Sequence, residues 1–207
     1  YGLCPACFIP VRTQEGYGLS NEGISHAIEQ CGCQPQLIIT VDCGTSSVAE
    51  VKYLNSIGID VIVLDHHEAS PLGRPPAIAV VNAKLEPNSP LTYLCSAGVV
   101  FKLAHAMLKR RRLPDFDLRD YLDVVAIATV ADIVPLVAEN RLLTRHGLRI
   151  MARGGNIGIQ AINEVTGLRS APNASHVSFR IGPRLNAAGR MDGHPIQTAG
   201  FDLEDID

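Results

Sequence analysis

The residues best suited to chemistry in this chain stand at the ends of two short apolar runs. Ile38-Ile39-Thr40-Val41 stops at Asp42-Cys43-Gly44, and Val61-Ile62-Val63-Leu64 stops at Asp65-His66-His67. Short runs rich in Val and Ile read as fully buried strands of a parallel sheet. Ligands of such sheets bind just beyond the carboxyl ends of the strands. Asp42, Asp65, His66 and His67 are therefore expected on one rim, where carboxylates and imidazoles make a site for a divalent cation. Adjacent parallel strands lie about 4.8 Å apart, so Asp42 and His66 can share one ion. A third ligand is expected from Asp132, which continues the face of Leu122, Val125 and Thr129 on an apolar helix. A carboxylate buried there is costly unless it is paired or metal-bound. Mixed carboxylate and imidazole ligation suits Mn²⁺ or Mg²⁺ better than zinc, which prefers sulfur and nitrogen.

The surrounding pattern supplies a frame. Pro10 to Leu19 reads as a loop, and Ser20-Asn21-Glu22-Gly23 as a helix start leading into Ile24, Ala27 and Ile28. A strand at about 36–42 is followed by a helix from Thr45 to Ile57, with Val48, Val51 and Leu54 on one face and Gly58 ending it. The strand over 59–64 completes a strand–helix–strand unit whose crossover should be right-handed. Pro71, Pro75 and Pro76 mark a loop before a short strand from Ala77 to Val81. Ser96 to Arg112 is an amphipathic helix lying on the sheet, with Lys109 to Arg112 at its C-terminal end, where the helix dipole favours cations. Leu118 to Ala131 is apolar on nearly every side and reads as a buried helix. Glu139 to Arg153 is a further helix with Leu143, Gly147 and Ile150 inward, while Arg141, Arg145, Arg149 and Arg153 line a solvated face.

At 207 residues the chain can form one good-sized domain, or one domain and part of another. It is 46% hydrophobic and 19% charged, which places it among ordinary globular chains. No apolar run is long enough to cross a bilayer, and no signal peptide stands at the start, so a cytoplasmic setting is expected. The chain opens at Tyr1 rather than Met and reads as an internal fragment. A net charge of −3 gives no overall attraction to nucleic acid. Distribution matters more: Gly167 to Met191 holds Arg169, Arg180, Arg184 and Arg190 and no acid, a locally cationic segment. Cys4-Pro5-Ala6-Cys7 and Cys31-Gly32-Cys33 carry four thiols of the kind zinc uses. A C-x-C pair is short for a zinc knuckle and nothing repeats it, so reduced thiols are the expectation. His26, His105, His146, His176 and His194 show no ligand pattern. No G-x-G-x-x-G follows a strand, which leaves a dinucleotide-binding domain without support.

Several stretches, taken in order, resemble the DHH phosphoesterase superfamily and, within it, the RecJ single-strand-specific exonucleases. They are Ile39 to Gly44, Leu64 to His67, Ser96 to Ala104, Thr129 to Leu136, Glu139-Asn140-Arg141 and Gly182 to Arg190. The first two fit any member of the superfamily; the last three are more particular to RecJ. The resemblance implies an α/β fold, a parallel-sheet Rossmann-like DHH core with flanking helices over 1–166. It implies that 167–207 is an Arg-rich DNA-contacting segment and the start of a connector to a second domain. The family's first strand and its Asp-x-Asp-Gly motif are expected before Tyr1, and a glycine- and histidine-rich motif beyond Asp207, so the fragment alone should be inactive.

Carried over by position, Asp42 would bridge two metals, with His66 and Asp132 completing the shell of one. Asp65 and His67 would be the catalytic pair, Asp65 orienting His66 and His67 pointing to the substrate phosphate. Arg184, Asn186 and Arg190 would meet the DNA backbone near the cut. Tyr17 and Gly18 match a Glu-Gly-Tyr-Gly loop with a structural role, and Cys43 replaces the usual Asn beside the bridging acid, where it can alter metal preference. The implied activity is stepwise 5′-to-3′ hydrolysis of single-stranded DNA in repair and recombination, with two Mn²⁺ or Mg²⁺ ions in the complete protein. The implied partners are single-stranded DNA, a single-strand-binding protein and a helicase. Two alternatives stay open: a small-molecule or oligonucleotide phosphoesterase on the same fold, and a non-catalytic replication scaffold.

Overall fold

The computed structural model describes residues 2–154, 156–168 and 171–191, excepting the side chains of 12, 13 and 188–191. The chain divides into two compact units, Tyr1–Met107 and Leu108–Asp207.

In the first unit a short helix α1 (Arg12–Glu15) leads to α2 (Asn21–Cys31). The Ser20 hydroxyl caps α2 by accepting the Gly23 N–H at 3.0 Å, and Gly32 ends it in the left-handed conformation at φ +67°. Strands β1 (Leu37–Val41), β2 (Asp60–Leu64) and β3 (Ala79–Val81) form a parallel sheet in that order, with α3 (Val48–Ser56) crossing between β1 and β2. Val41 stands opposite Leu64, and Leu64 opposite Val81, so the three strands end level. The ladder runs one residue further: the Asp42 N–H donates to Leu64 O at 2.9 Å and the Asp65 N–H to Val81 O at 3.1 Å. Register alone therefore places Asp42, Asp65 and Asn82 on one rim.

One face of the sheet packs Val61 and Val63 against Val51 and Leu54 of α3 and Ile24 of α2. On the other face Leu64 meets Leu94 and Val99, the latter on α4 (Ser96–Arg110). The central strand β2 is buried as its sequence predicts, but β1 is not. Leu37, Ile39 and Val41 are 44%, 52% and 49% exposed, and their alternation puts them on a single face. β1 is an edge strand here, and an apolar run reports that both faces suit burial, not that both are covered.

In the second unit a 3₁₀ turn over Leu118–Tyr121 enters α5 (Leu122–Ala131), which packs along α6 (Ala138–Ala152). Helices α7 (Ile157–Val165), α8 (Ala174–His176) and α9 (Gly182–Met191) follow, with a wide π-type turn at Val177–Ile181 between α8 and α9. Val177 and Ile181 are fully buried with Ile127, Val130, Met151 and Ile159, so the arginine-bearing segment is anchored in this unit's core. Among the described residues no helix is long and apolar enough to cross a membrane.

Two sequence expectations need correction here. Helix α6 buries Asn140, Thr144, Gly147 and Met151, leaving Leu143 and Ile150 only partly buried. Small residues set that phase: a Cβ on Gly147 would lie 2.0 Å from Leu122 O and 2.5 Å from Ala126 Cβ, so the helices touch backbone to side-chain root. Asp132, expected to be buried on the face of α5, is exposed. The helix ends at Ala131 and Asp132 is its C-cap, so helical phase no longer governs where its carboxylate goes. Ile133 follows at φ +57° and 90% exposure, a conformation rare for a β-branched residue.

Gly147→Ala should destabilise the fold by about 1–3 kcal/mol or more, because the new methyl meets a backbone carbonyl. Arg145→Ala, on the exposed face of the same helix, should stay within about 0.5 kcal/mol of the parent. Urea unfolding midpoints of the two variants check this; equal midpoints would contradict the close approach of α5 and α6.

Candidate metal centre

The turn after β1 is built to present Asp42. Its backbone is left-handed at φ +65°, a conformation Asp tolerates better than most residues, and its carboxylate is exposed. Gly44 follows at φ +109°, where a Cβ would fall 2.7 Å from Thr40 Oγ1 and 3.1 Å from Val63 Cγ1. The Thr40 hydroxyl closes the turn by donating to Cys43 O at 3.0 Å.

The turn also delivers the Thr45 N–H to Asp65. The Asp65 carboxylate, 1% exposed at the end of β2, accepts that N–H on Oδ2 at 3.0 Å. Its Oδ1 accepts the backbone N–H of His66 at 2.7 Å, that of His67 at 3.3 Å and the His67 Nδ1–H at 2.6 Å. Burial pushes this acid up, but the hydrogen bonds from Thr45, His67 and the His66 backbone outweigh it, and the pKa falls from 3.8 to about 2. Asp65 is thus a buried anion, and because a carboxylate only accepts, the His67 proton sits on Nδ1.

His67 presents Nε2 outward, 3.5 Å from the Tyr17 hydroxyl. Asn82, just past β3, donates to His67 O at 2.8 Å and to Thr45 Oγ1 at 2.9 Å, bracing both. His66 stacks on His67 with ring centroids 4.6 Å apart. Its Nδ1 lies 2.9 Å from Ser96 Oγ, at the start of α4, and 3.2 Å from Asp42 Oδ1.

Ligand atoms of Asp42, Asp65, His66 and His67 all lie within 4.8 Å of one another. Two donors each about 2.1 Å from an octahedral ion stand about 3 Å apart when adjacent, so the 3.2 Å between Asp42 and His66 fits a shared cation. Cys43, beside them, does not add a thiolate. Burial first, then the negative charges of Asp65 and Asp42, push its pKa up to about 11, so it stays protonated at neutral pH. The remaining donors are oxygen and imidazole nitrogen, a set suited to Mn²⁺ or Mg²⁺.

The four residues expected on the rim are together. Asp65 reaches the imidazole of His67 and meets His66 through its backbone N–H. Asp132 belongs to the second unit. Arg184 and Asn186 are exposed on α9, with the Arg184 guanidinium donating to Arg180 O at 2.8 Å; the Arg190 side chain lies outside the described residues. Sequence reading missed Thr45, Asn82 and Ser96 and gave Tyr17 only a structural role. Asn82 was within reach, since it too follows a parallel strand on the same rim.

A family model described as "DHH family, N-terminal domain" matches residues 5–129. The chain belongs to the DHH family. Among its relatives, the single-stranded-DNA-specific exonuclease RecJ of Bacillus subtilis is 42% identical over 89% of this chain and 22% of its own length. RecJ of Escherichia coli is 42% identical over 92% of this chain and 34% of its own. The chain thus spans about a fifth to a third of the length of these relatives. Among solved structures, exonuclease RecJ bound to manganese superposes with a TM-score of 0.75 at 37% identity, over 88% of this chain and 44% of that one. RecJ in complex with Mn²⁺ from Thermus thermophilus gives 0.65 at 37% identity, over 74% and 22%.

The lowered pKa of Asp65 has a signed consequence. A carboxylate more acidic folded than unfolded contributes fully above about pH 4, and the contribution drains as pH falls toward 2. Stability should drop by on the order of 2 kcal/mol across that window from this group. Asp65→Asn should be less stable at pH 7 and lack that part of the acid limb. Parallel stability–pH curves for the parent and Asp65→Asn would refute the role assigned to the buried anion.

Proposed function

We propose that the chain is the metal-binding core of a 5′-to-3′ exonuclease acting on single-stranded DNA, of the RecJ kind. The observation that carries the reading is the 3.2 Å pairing of Asp42 and His66 at level strand ends, in a chain of the DHH family. Asp42 and His66 hold the cation. Asp132 joins them as a further ligand, on the match of Thr129 to Leu136 to the family pattern and on an exposed carboxylate beside the strained Ile133. Bound divalent ions supply an activated water and charge neutralisation for in-line attack at phosphorus.

Asp65 and His67 form the catalytic pair. Asp65, held as an anion, accepts from His67 Nδ1 and fixes the ring, so that Nε2 is the atom turned toward the substrate phosphate. Arg184, Asn186 and Arg190, within the DNA-contacting segment 167–207, hold the phosphate backbone, and an acid-free helix surface suits that task. The core then extends over 1–166. Base identity matters little when contacts go to backbone and stacked bases. The setting is cytoplasmic DNA repair and recombination, with a single-strand-binding protein and a helicase as partners.

In the full-length protein, Asp42→Ala and His66→Ala should each lower Mn²⁺-dependent degradation of a 5′-phosphorylated single strand by more than about 100-fold. Both variants should keep the parent's circular dichroism. Retained activity in either, or faster hydrolysis of a dinucleotide than of the long strand, would overturn the reading.

A further inference from the structure

Helix α2 ends at a pair of thiols. Cys31 is its last residue, Gly32 caps it and Cys33 follows. Gly32 is left-handed at φ +67°, and its N–H donates to Glu29 O at 3.0 Å. Across that bend the two sulfurs lie 3.6 Å apart, in hydrogen-bond contact. Cys33 is exposed and Cys31 partly so. Thiols without disulfides are ordinarily among the most buried side chains, so two that touch each other at the surface are open to reagents in a way packed thiols are not.

Both sulfurs are free thiols here, since a disulfide needs about 2.05 Å, and bonding them shortens the contact by about 1.5 Å. The backbone between them has room to adjust: nothing lies within 4 Å of where a Cβ on Gly32 would stand. Hydrogen bonding to Cys31, and then its charge, holds the Cys33 thiol above the ordinary thiol range. Cys33 therefore keeps its proton, and Cys31 is the sulfur that attacks first.

We propose that Cys31 and Cys33 form a disulfide-exchange site, which takes low-molecular-weight disulfides such as oxidised glutathione and closes to an internal disulfide. The Cys31 thiolate attacks one sulfur of the small disulfide, forming a mixed disulfide and expelling one small thiolate. Cys33 then attacks the Cys31 sulfur, forming the Cys31–Cys33 bond and expelling the second. Each expelled thiolate takes up one of the two protons the pair gives up. The two protein sulfurs together lose two electrons, and the small disulfide gains two. A single intervening residue makes the new ring small and exposed, and strained or exposed disulfides are the readily reduced ones, so small thiols reopen it. The pair thus sheds an attached small thiol where a solitary cysteine would retain it. The chemistry is independent of the carboxylate–imidazole rim, to which neither cysteine belongs.

The test uses the full-length protein, reduced, equilibrated without oxygen in millimolar mixtures of oxidised and reduced glutathione, quenched by alkylation and mapped by peptide mass spectrometry. With oxidised glutathione in about tenfold excess, most chains should carry the Cys31–Cys33 disulfide, and the reverse excess should return them to the dithiol. In Cys31→Ser and in Cys33→Ser the remaining thiol should hold glutathione at least about tenfold more than it does in the parent, because no second sulfur expels it. The mapping of the parent stands even if a variant fails to fold. A pair that stays reduced in excess oxidised glutathione, glutathione retained on either cysteine of the parent, Cys31 or Cys33 linked instead to Cys4, Cys7 or another cysteine, or a disulfide that reduced glutathione does not reopen would each overturn the proposal.

Discussion

One buried carboxylate organises the rim of the first unit. Asp65 ends the central strand, where it has lost nearly all contact with water, and a lone anion there would be expensive. Hydrogen bonds offset that cost: from the side chain and the backbone of Thr45, from the backbones of His66 and His67, and from the His67 ring. Those donors come from the turn after β1 and from Asp65's own neighbours. The same interactions that keep the acid ionised therefore fix the β1 turn and orient the His67 imidazole, while His66 is tied to the acid by its backbone N–H.

The parallel sheet makes this possible by ending its three strands level. Each strand then hands over one polar residue: Asp42, Asp65 and Asn82. The turn between β1 and α3 must be tight, which is why Gly44 leaves no room for a side chain and why Asp42 takes a left-handed backbone. Strain of that kind, confined to a residue whose carboxylate is exposed and 3.2 Å from an imidazole, is how folds store positioning for a ligand. Ser96, capping the approach from α4, holds His66 from the other side.

Much of this was legible in the sequence because it depends on local rules. Aliphatic runs that break off at acids and imidazoles report both strand and rim, and Asp42, Asp65, His66 and His67 did meet. What escaped depends on neighbours a single segment does not name. The apolar pattern of β1 does not reveal that one face lies open, and Thr144 and Gly147 rotate α6 because of how near α5 lies. Asp132 looked buried only while its helix was assumed to continue. The approach of Tyr17 to His67, and of Cys31 to Cys33, follows from loop geometry at glycines, which spacing alone does not encode.

The proposed metal centre requires that Asp42 and His66 grip the same cation. A crystal of this chain soaked in Mn²⁺, with data collected near the manganese edge, answers that directly. The predicted result is an anomalous peak about 2.1 Å from an Asp42 carboxylate oxygen and from the His66 imidazole. An empty position between those two side chains, with manganese bound elsewhere or nowhere, would contradict it.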